Sequence, residues 1–135
     1  MRVLTPGFVA AWEGRLVNIH PSLLPAFPGL DTHARALAAG VRLHGCTVHL
    51  VSAGVDEGPI LAQAAVPVLP GDTPETLAAR VLAVEHRIYP AALAWLAAGR
   101  VDLDPNGRTV IVGGAAPSTT LANPLPELPA LSTPA

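Results

Sequence analysis

The distribution of proline limits most strongly where this chain can form helices and strands. The chain has 15 prolines in 135 residues, and each one fixes φ and lacks the N–H that a helix interior or a central strand needs. Pro21, Pro25 and Pro28 lie close together and predict an ordered or extended loop. Beyond Gly113 the chain has almost no charge but further prolines, namely Pro117, Pro124, Pro126, Pro129 and Pro134. We therefore expect one domain over residues 1–112 and a Pro-rich disordered tail over residues 113–135.

Strand signals occur in three stretches of β-branched and apolar residues bounded by turn residues: Arg15–Ile19, Cys46–Ser52 and Ile60–Val68. Pro67 indicates that the third of these is an edge strand. A further hairpin is predicted around the turn that begins at Asp104 and ends at Gly107.

Capping and turn residues predict three helices, which begin at Thr5-Pro6, at Asp31 or Thr32, and at about Pro74. The third helix is the longest and extends to about Ala98, just before Gly99. We expect Pro90 to kink or break it, because proline removes one helical hydrogen bond.

Charge, cysteine content and hydropathy exclude several classes of protein. The formal net charge is −2 and the eight basic residues are scattered, so no basic stripe is present for a nucleic acid. The single cysteine, Cys46, excludes a disulfide scaffold, and the five histidines fit no established metal-ligand spacing. His49, which alternates with apolar residues, is interpreted as a core or supporting histidine. No apolar run approaches the roughly 20 residues that span a bilayer. We therefore expect a cytoplasmic protein with no metal, no nucleic acid and no membrane partner.

Asn18 and His20 close the first predicted strand on the same face, because side chains two residues apart on a strand point the same way. An amide can donate to an oxyanion, and an imidazole can take or give a proton near neutral pH. Asp56 follows the second predicted strand and reaches His20 if the two strands are neighbours. The residues alone leave two alternatives open: a capped strand end whose histidine bonds to a loop, and a turn aspartate before Gly58.

Glu85 is unusual because it lies within the apolar stripe of the long predicted helix, four residues after Val81 and three before Ile88. A buried carboxylate is costly unless it is paired or meets a ligand. The alternative is an edge position, where the acid reaches water or pairs with Arg87 or His86.

Five blocks of sequence occur in an order that resembles the formyltransferase family, and within it the branch that formylates phosphoribosylglycinamide. The blocks are Asn18–Pro25 with Pro28–His33, His44–His49, Asp56–Ile60, Val66–Asp72 and Glu85–Pro90. The resemblance extends from Met1 to about Arg100. It implies an α/β fold, the C-terminal part of a Rossmann-like formyltransferase domain with a mostly parallel sheet flanked by helices.

The resemblance also implies a reaction in purine (IMP) biosynthesis. The amine of phosphoribosylglycinamide would take the formyl group directly from 10-formyltetrahydrofolate, the co-substrate, without a metal. Asn18 would donate to the oxyanion, and His20 would supply a proton or stabilise the oxyanion as imidazolium. Asp56 would stabilise the charged form of His20 and help to shuttle protons. Alternatives are another formyltransferase that uses the same donor with a different amine, and an inactive fragment that binds folate.

Binding residues are carried over from the resemblance in the same way. The folate would contact Asn18 and two segments, which comprise Met1, Arg2, Val3 and Leu4, and Val51, Ser52, Ala53, Gly54, Val55 and Asp56. The ribonucleotide would contact His20, Pro21, Leu82 and Glu85, with Glu85 meeting its amine.

The sequence departs from the family pattern in three places. Asp31 replaces a common histidine, and Ala53-Gly54 replaces a more acidic, bulkier pair in the folate segment. From the resemblance we also expect the chain to lack the family's N-terminal βαβ unit with its glycine-rich phosphate loop. We expect a gene start placed too far downstream, an expressed fragment or a decayed copy. We also expect an exposed edge on the Arg15–Ile19 strand that invites self-association.

Overall fold

The computed structural model of the chain describes residues 4–113 and 123–124. Its elements follow one another as α1 (Pro6–Ala11), β1 (Val17–His20), α2 (Thr32–Ala39), β2 (Leu43–Leu50), β3 (Ile60–Pro67), α3 (Pro74–Ala97), β4 (Val101–Leu103) and β5 (Thr109–Ile111). All of the predicted strands and helices are therefore present, with bounds that differ from the expectation by a few residues.

The strands form a three-stranded sheet in the order β1-β2-β3 and a separate β4-β5 hairpin. Both ladders of the larger sheet are antiparallel. The strands that the structure describes thus depart from the mostly parallel sheet that the resemblance implies for the family domain. The physical reason is clearest for β2 and β3: residues 51–59 connect them, and a parallel crossover needs about a dozen residues or more. The expected edge positions of β1 and β3 are confirmed within this sheet.

Helix α3 continues through Pro90 as one helix, so the expected break does not occur. Its start is fixed by Thr73, whose hydroxyl accepts from Thr76 N at 3.2 Å, while Thr76 Oγ1 accepts from Thr73 N at 2.9 Å. Buried residues lie on both sides of the proline, with Val81 before it and Ala92 after it. We infer that packing against the sheet offsets the hydrogen bond that Pro90 removes.

The core lies between α3 and the sheet. One cluster of buried side chains joins Cys46 and Val66 to Leu77 and Val81, and a second is made of Val48, Leu50, Leu61 and Ala92. None of the helices described is both long and apolar enough to cross a membrane. β2 is the central strand of the sheet. Its C-terminal end leads into residues 51–59, the segment that connects it to β3.

Replacing Leu77 with Ala is expected to destabilise the fold by about 2–5 kcal/mol, because a fully buried leucine loses its contacts and leaves a cavity. Leu77 is 0% exposed, whereas Leu93 on the same helix is 39% exposed. Leu93→Ala is therefore the matched control, with an expected loss below about 1 kcal/mol. Urea unfolding followed by circular dichroism measures both, and equal losses would contradict this description of the core.

Asn123 and Pro124 are the residues that the structure describes beyond residue 113. Asn123 contacts the three-stranded sheet. Its side-chain amide donates to Arg42 O at 2.7 Å and to Val68 O at 3.0 Å, where β2 begins and β3 ends. Residues 114–122 and 125–135 of the predicted tail lie outside the described residues, as do Met1, Arg2 and Val3. The disordered tail and the domain boundary at residue 112 stay predictions.

Candidate active site

His20 is the last residue of β1, because Pro21 cannot continue the hydrogen-bond ladder. The residue is buried, with 5% exposure. The ring Nε2 lies 2.9 Å from the carbonyl oxygen of Phe27, in the proline-containing loop. Since a carbonyl only accepts, Nε2 carries a hydrogen and donates it. The alternative in which His20 bonds to a loop is therefore correct for Nε2. The other ring nitrogen, Nδ1, has no bond to that loop and can interact with another group.

Asp56 lies in the segment between β2 and β3, with a left-handed φ of 54°. Its Oδ2 accepts from Gly29 N at 2.9 Å and lies 3.6 Å from His20 Nδ1. The carboxylate is 11% exposed. The segment closes tightly because Gly58 passes against Leu50 O, where a Cβ would collide. The predicted approach of Asp56 to His20 is confirmed.

Asn18 is exposed and lies two residues before His20, on the same face of β1. It is paired with His49 of β2 in the sheet register. Within the part of the chain that the structure describes, its side-chain amide has no hydrogen bond to another residue. The amide is therefore free to donate to a bound molecule beside the His20 and Asp56 pair.

His49 is the residue whose position sequence reasoning missed. It is 3% exposed, its Nδ1 donates to Leu50 O at 3.0 Å, and its Nε2 lies 3.9 Å from Asp56 Oδ1. Its predicted burial is confirmed, but the expectation that both ring nitrogens are satisfied is wrong for Nε2, and the supporting role stays a prediction. His49 reaches Asp56 because the strand register sets it beside β1. That register cannot be read from a single sequence.

Glu85 lies on α3 and is half-buried. Burial raises the pKa of its carboxyl above the ordinary value, while the charges of His86 and His20 lower it. Glu85 is thus close enough to His20 for their charges to interact. Leu82, one turn earlier on the helix, is 47% exposed, and Leu4 is 44% exposed. The structure brings Asn18, His20 and Asp56 together on the face of the sheet away from α3, because Val17 and Ile19, which alternate with Asn18 and His20 on β1, pack towards α3. Glu85 lies on α3 itself, and the binding roles of the other residues stay predictions.

The remaining buried histidine, His44, lies on β2 and shares a hydrogen bond of 3.1 Å between its Nε2 and His33 Nδ1. Burial, followed by the charges of His33 and His20, lowers the pKa of His44 from 6.5 to about 4. Among the residues described here, no three His, Cys, Asp or Glu side chains are grouped so that they could hold a metal ion.

Acidification from pH 6.5 to 4 is expected to destabilise the protein through His44. The unfolded chain binds a proton at its ordinary pKa of 6.5, whereas the folded chain binds it only near 4, so stability falls as the pH drops through this window. Unfolding temperatures across the window measure the effect. His44→Gln should reduce the slope and His86→Gln, an exposed control, should not. Equal slopes in wild type and His44→Gln would contradict the assignment.

Comparison with known proteins places this geometry among formyl transferases. The formyl transferase family model matches residues 1–93. Phosphoribosylglycinamide formyltransferase of Escherichia coli (strain K12) is 50% identical over 106 residues, which cover 78% of this chain and 50% of that protein. The trifunctional purine biosynthetic protein adenosine-3 of Homo sapiens is 53% identical over 108 residues, which cover 80% of this chain and 11% of that protein.

Solved structures agree with the family match. The crystal structure of phosphoribosylglycinamide formyltransferase from Anaplasma phagocytophilum has a TM-score of 0.83 at 45% identity, covering 86% of this chain and 57% of that one. A formyltetrahydrofolate deformylase from Pseudomonas syringae has a TM-score of 0.78 at 32% identity, covering 83% and 37%. The expected Rossmann-like α/β formyltransferase fold is confirmed. The chain spans about half the length of the bacterial relatives that it matches.

Proposed function

We propose that this chain, which belongs to the formyl transferase family, carries the catalytic groups that transfer a formyl group from 10-formyltetrahydrofolate to the amine of phosphoribosylglycinamide. The observation that carries the proposal is the approach of Asp56 Oδ2 to His20 Nδ1 at 3.6 Å, beside the free amide of Asn18. The relatives that share this part of the fold at about half identity bear the name of that activity.

Asn18 would donate its amide hydrogen to the formyl oxygen, on which negative charge develops when the amine attacks. Preorganised donors of this kind are worth more in a site that excludes water than in bulk solvent. The amide is well suited to this, because no residue in the described part of the chain competes for it. Its exposure leaves room for a ligand on the face that it shares with His20.

His20 would hold the proton that is transferred in the reaction. Asp56 would stabilise the charged form of the His20 ring. Nε2 already donates to Phe27 O, so a proton on Nδ1 makes the ring a cation directly facing the Asp56 carboxylate. The Asp56 carboxylate, whose Oδ2 lies 3.6 Å from Nδ1, is the group that would balance this charge. A proton from His20 would reach the oxyanion or the leaving nitrogen by way of the Asp56 carboxyl group, which faces Nδ1.

The formyl donor would lie along the segment from Val51 to Asp56, with its formyl group towards Asn18. One observation supports this placement: the segment follows the end of β2, and its residues up to Asp56 are part-buried or exposed, with Val55 58% exposed. The donor supplies the formyl group, and this chain supplies orientation and proton handling. Met1, Arg2, Val3 and Leu4 are proposed as the second folate-binding segment from the family resemblance.

The ribonucleotide amine would approach from the side of α3, where Glu85 lies. The raised pKa of Glu85 and its electrostatic contact with His20 support this placement. Pro21 and Leu82 are proposed to complete the contact with the ribonucleotide. We also propose small-molecule partners, a cytoplasmic location and self-association along the free edge of β1.

A panel of amines tests the choice of substrate. The purified chain is incubated with 10-formyltetrahydrofolate and with phosphoribosylglycinamide, an amino sugar nucleotide or methionyl-tRNA, and formylated products are measured by mass spectrometry. We expect product from phosphoribosylglycinamide alone. Product from another amine would show that phosphoribosylglycinamide is not the specific acceptor. Calorimetric binding of a folate analogue without any product would favour a folate-binding fragment instead.

A further inference from the structure

His49 Nε2 is the buried side-chain atom that lacks a hydrogen-bond partner in the part of the chain that the structure describes. A buried polar group normally has a partner, so an exception needs a physical explanation. The side chain is 3% exposed and its position is fixed by the bond from Nδ1 to Leu50 O. The unpartnered Nε2 faces the Asp56 carboxylate, 3.9 Å away.

His20 and His49 flank Asp56, and each donates one ring N–H to a backbone carbonyl. His20 uses its Nε2 hydrogen on Phe27 O, and His49 uses its Nδ1 hydrogen on Leu50 O. In the neutral ring only one nitrogen carries a hydrogen. Each ring therefore faces Asp56 with the nitrogen that is bare when the ring is neutral, which is unfavourable next to an ionised carboxylate.

The two oxygens of Asp56 are satisfied unequally. Oδ2 accepts from Gly29 N at 2.9 Å and faces His20 at 3.6 Å, whereas Oδ1 faces His49 Nε2 at 3.9 Å. A relative movement of roughly 1 Å would bring Oδ1 and Nε2 to hydrogen-bond distance. One proton between them would satisfy both the orphaned nitrogen and the poorly paired oxygen.

We propose that His49 is a positioning residue for Asp56, through one proton shared between His49 Nε2 and Asp56 Oδ1. With the proton on Nε2 the pair is an imidazolium and a carboxylate, and this is the form in which Asp56 keeps the charge that faces His20; with the proton on Oδ1 the pair is neutral. Only that proton differs between the two forms. In both, the bond fixes the carboxyl group so that Oδ2 faces His20. The inference rests on the proposed function, because it adds a supporting residue to the same reaction.

Two substitutions separate positioning from simple packing. The side-chain amide of His49→Gln can donate from near the Nε2 position to Oδ1, whereas His49→Asn replaces mainly the Nδ1 side of the ring. We expect kcat for formyl transfer to fall about 10- to 100-fold in His49→Asn and to stay within about threefold of wild type in His49→Gln. The KM for the folate should change little in either. Equal losses of kcat in the two variants would overturn the proposal.

Nitrogen-15 NMR of the labelled chain tests the shared proton without any turnover, so it remains informative if the proposed reaction is wrong. The His49 Nε2 signal should be displaced from that of a free, unprotonated ring nitrogen, and Asp56→Ala should return it there. His44→Asn removes another buried imidazole of β2 without touching Asp56, and should leave the signal displaced. A wild-type signal at the free position, or one insensitive to Asp56→Ala, would overturn the proposal.

Discussion

Asp56→Asn is expected to lower the rate of formyl transfer on the order of 1000-fold, within the range that proton-transferring groups contribute. The amide of Asn keeps the size of the side chain and can still accept from Gly29 N, but it has no charge to balance a cationic His20. The reaction would then lose the carboxylate that faces His20 Nδ1 at 3.6 Å. The measurement is kcat with both substrates saturating.

Folding controls are needed because Asp56 is a buried residue with a left-handed φ of 54°. Asn tolerates that backbone region better than most residues, so the variant should fold. Asp102→Asn, on the exposed face of β4, is a matched change of charge away from the site and should retain activity within about twofold. A loss below tenfold in a folded Asp56→Asn protein would remove Asp56 from the mechanism.

Asn18→Ala is expected to reduce turnover about 100- to 1000-fold, because one oxyanion donor typically contributes about 2.7–4 kcal/mol to the barrier. The loss should fall on kcat more than on the KM of either substrate, since the charge on the formyl oxygen develops only as the amine attacks. The side chain is exposed, so the fold should tolerate its removal.

Asn106→Ala provides the matched control for the loss of an exposed asparagine. Asn106 lies in the turn of the β4-β5 hairpin, where its backbone N–H, not its side chain, donates to Asp104 Oδ1. Its activity should stay within about twofold of wild type, with unfolding temperatures similar in both variants. If Asn18→Ala reduces the rate less than tenfold, the oxyanion must be held by another donor.

Much of the site follows from local sequence because its residues stand where elements end. Pro21 ends β1 and leaves His20 at the strand terminus, and a turn composition places Asp56 between two strands. Cap residues likewise locate the start of α3. These features depend on backbone chemistry over a few residues, which a single sequence contains.

The features that could not be predicted depend on pairing between distant segments. His49 becomes part of the site only because β2 is antiparallel to β1 and in the register that sets it opposite Asn18. The expectation of parallel strands came from the family resemblance and fails for β1, β2 and β3. Pro90 was expected to interrupt α3, but packing on both sides outweighs its local effect.

Transfer of a labelled formyl group tests most directly whether Asn18, His20 and Asp56 form one catalytic site. Carbon-13 formyl-labelled 10-formyltetrahydrofolate is incubated with phosphoribosylglycinamide and either the wild-type chain or His20→Ala, and the label is followed by NMR. We predict that the label moves to the glycinamide nitrogen with the wild-type chain and not with His20→Ala. Release of the label as formate, or equal transfer by both proteins, would contradict the account.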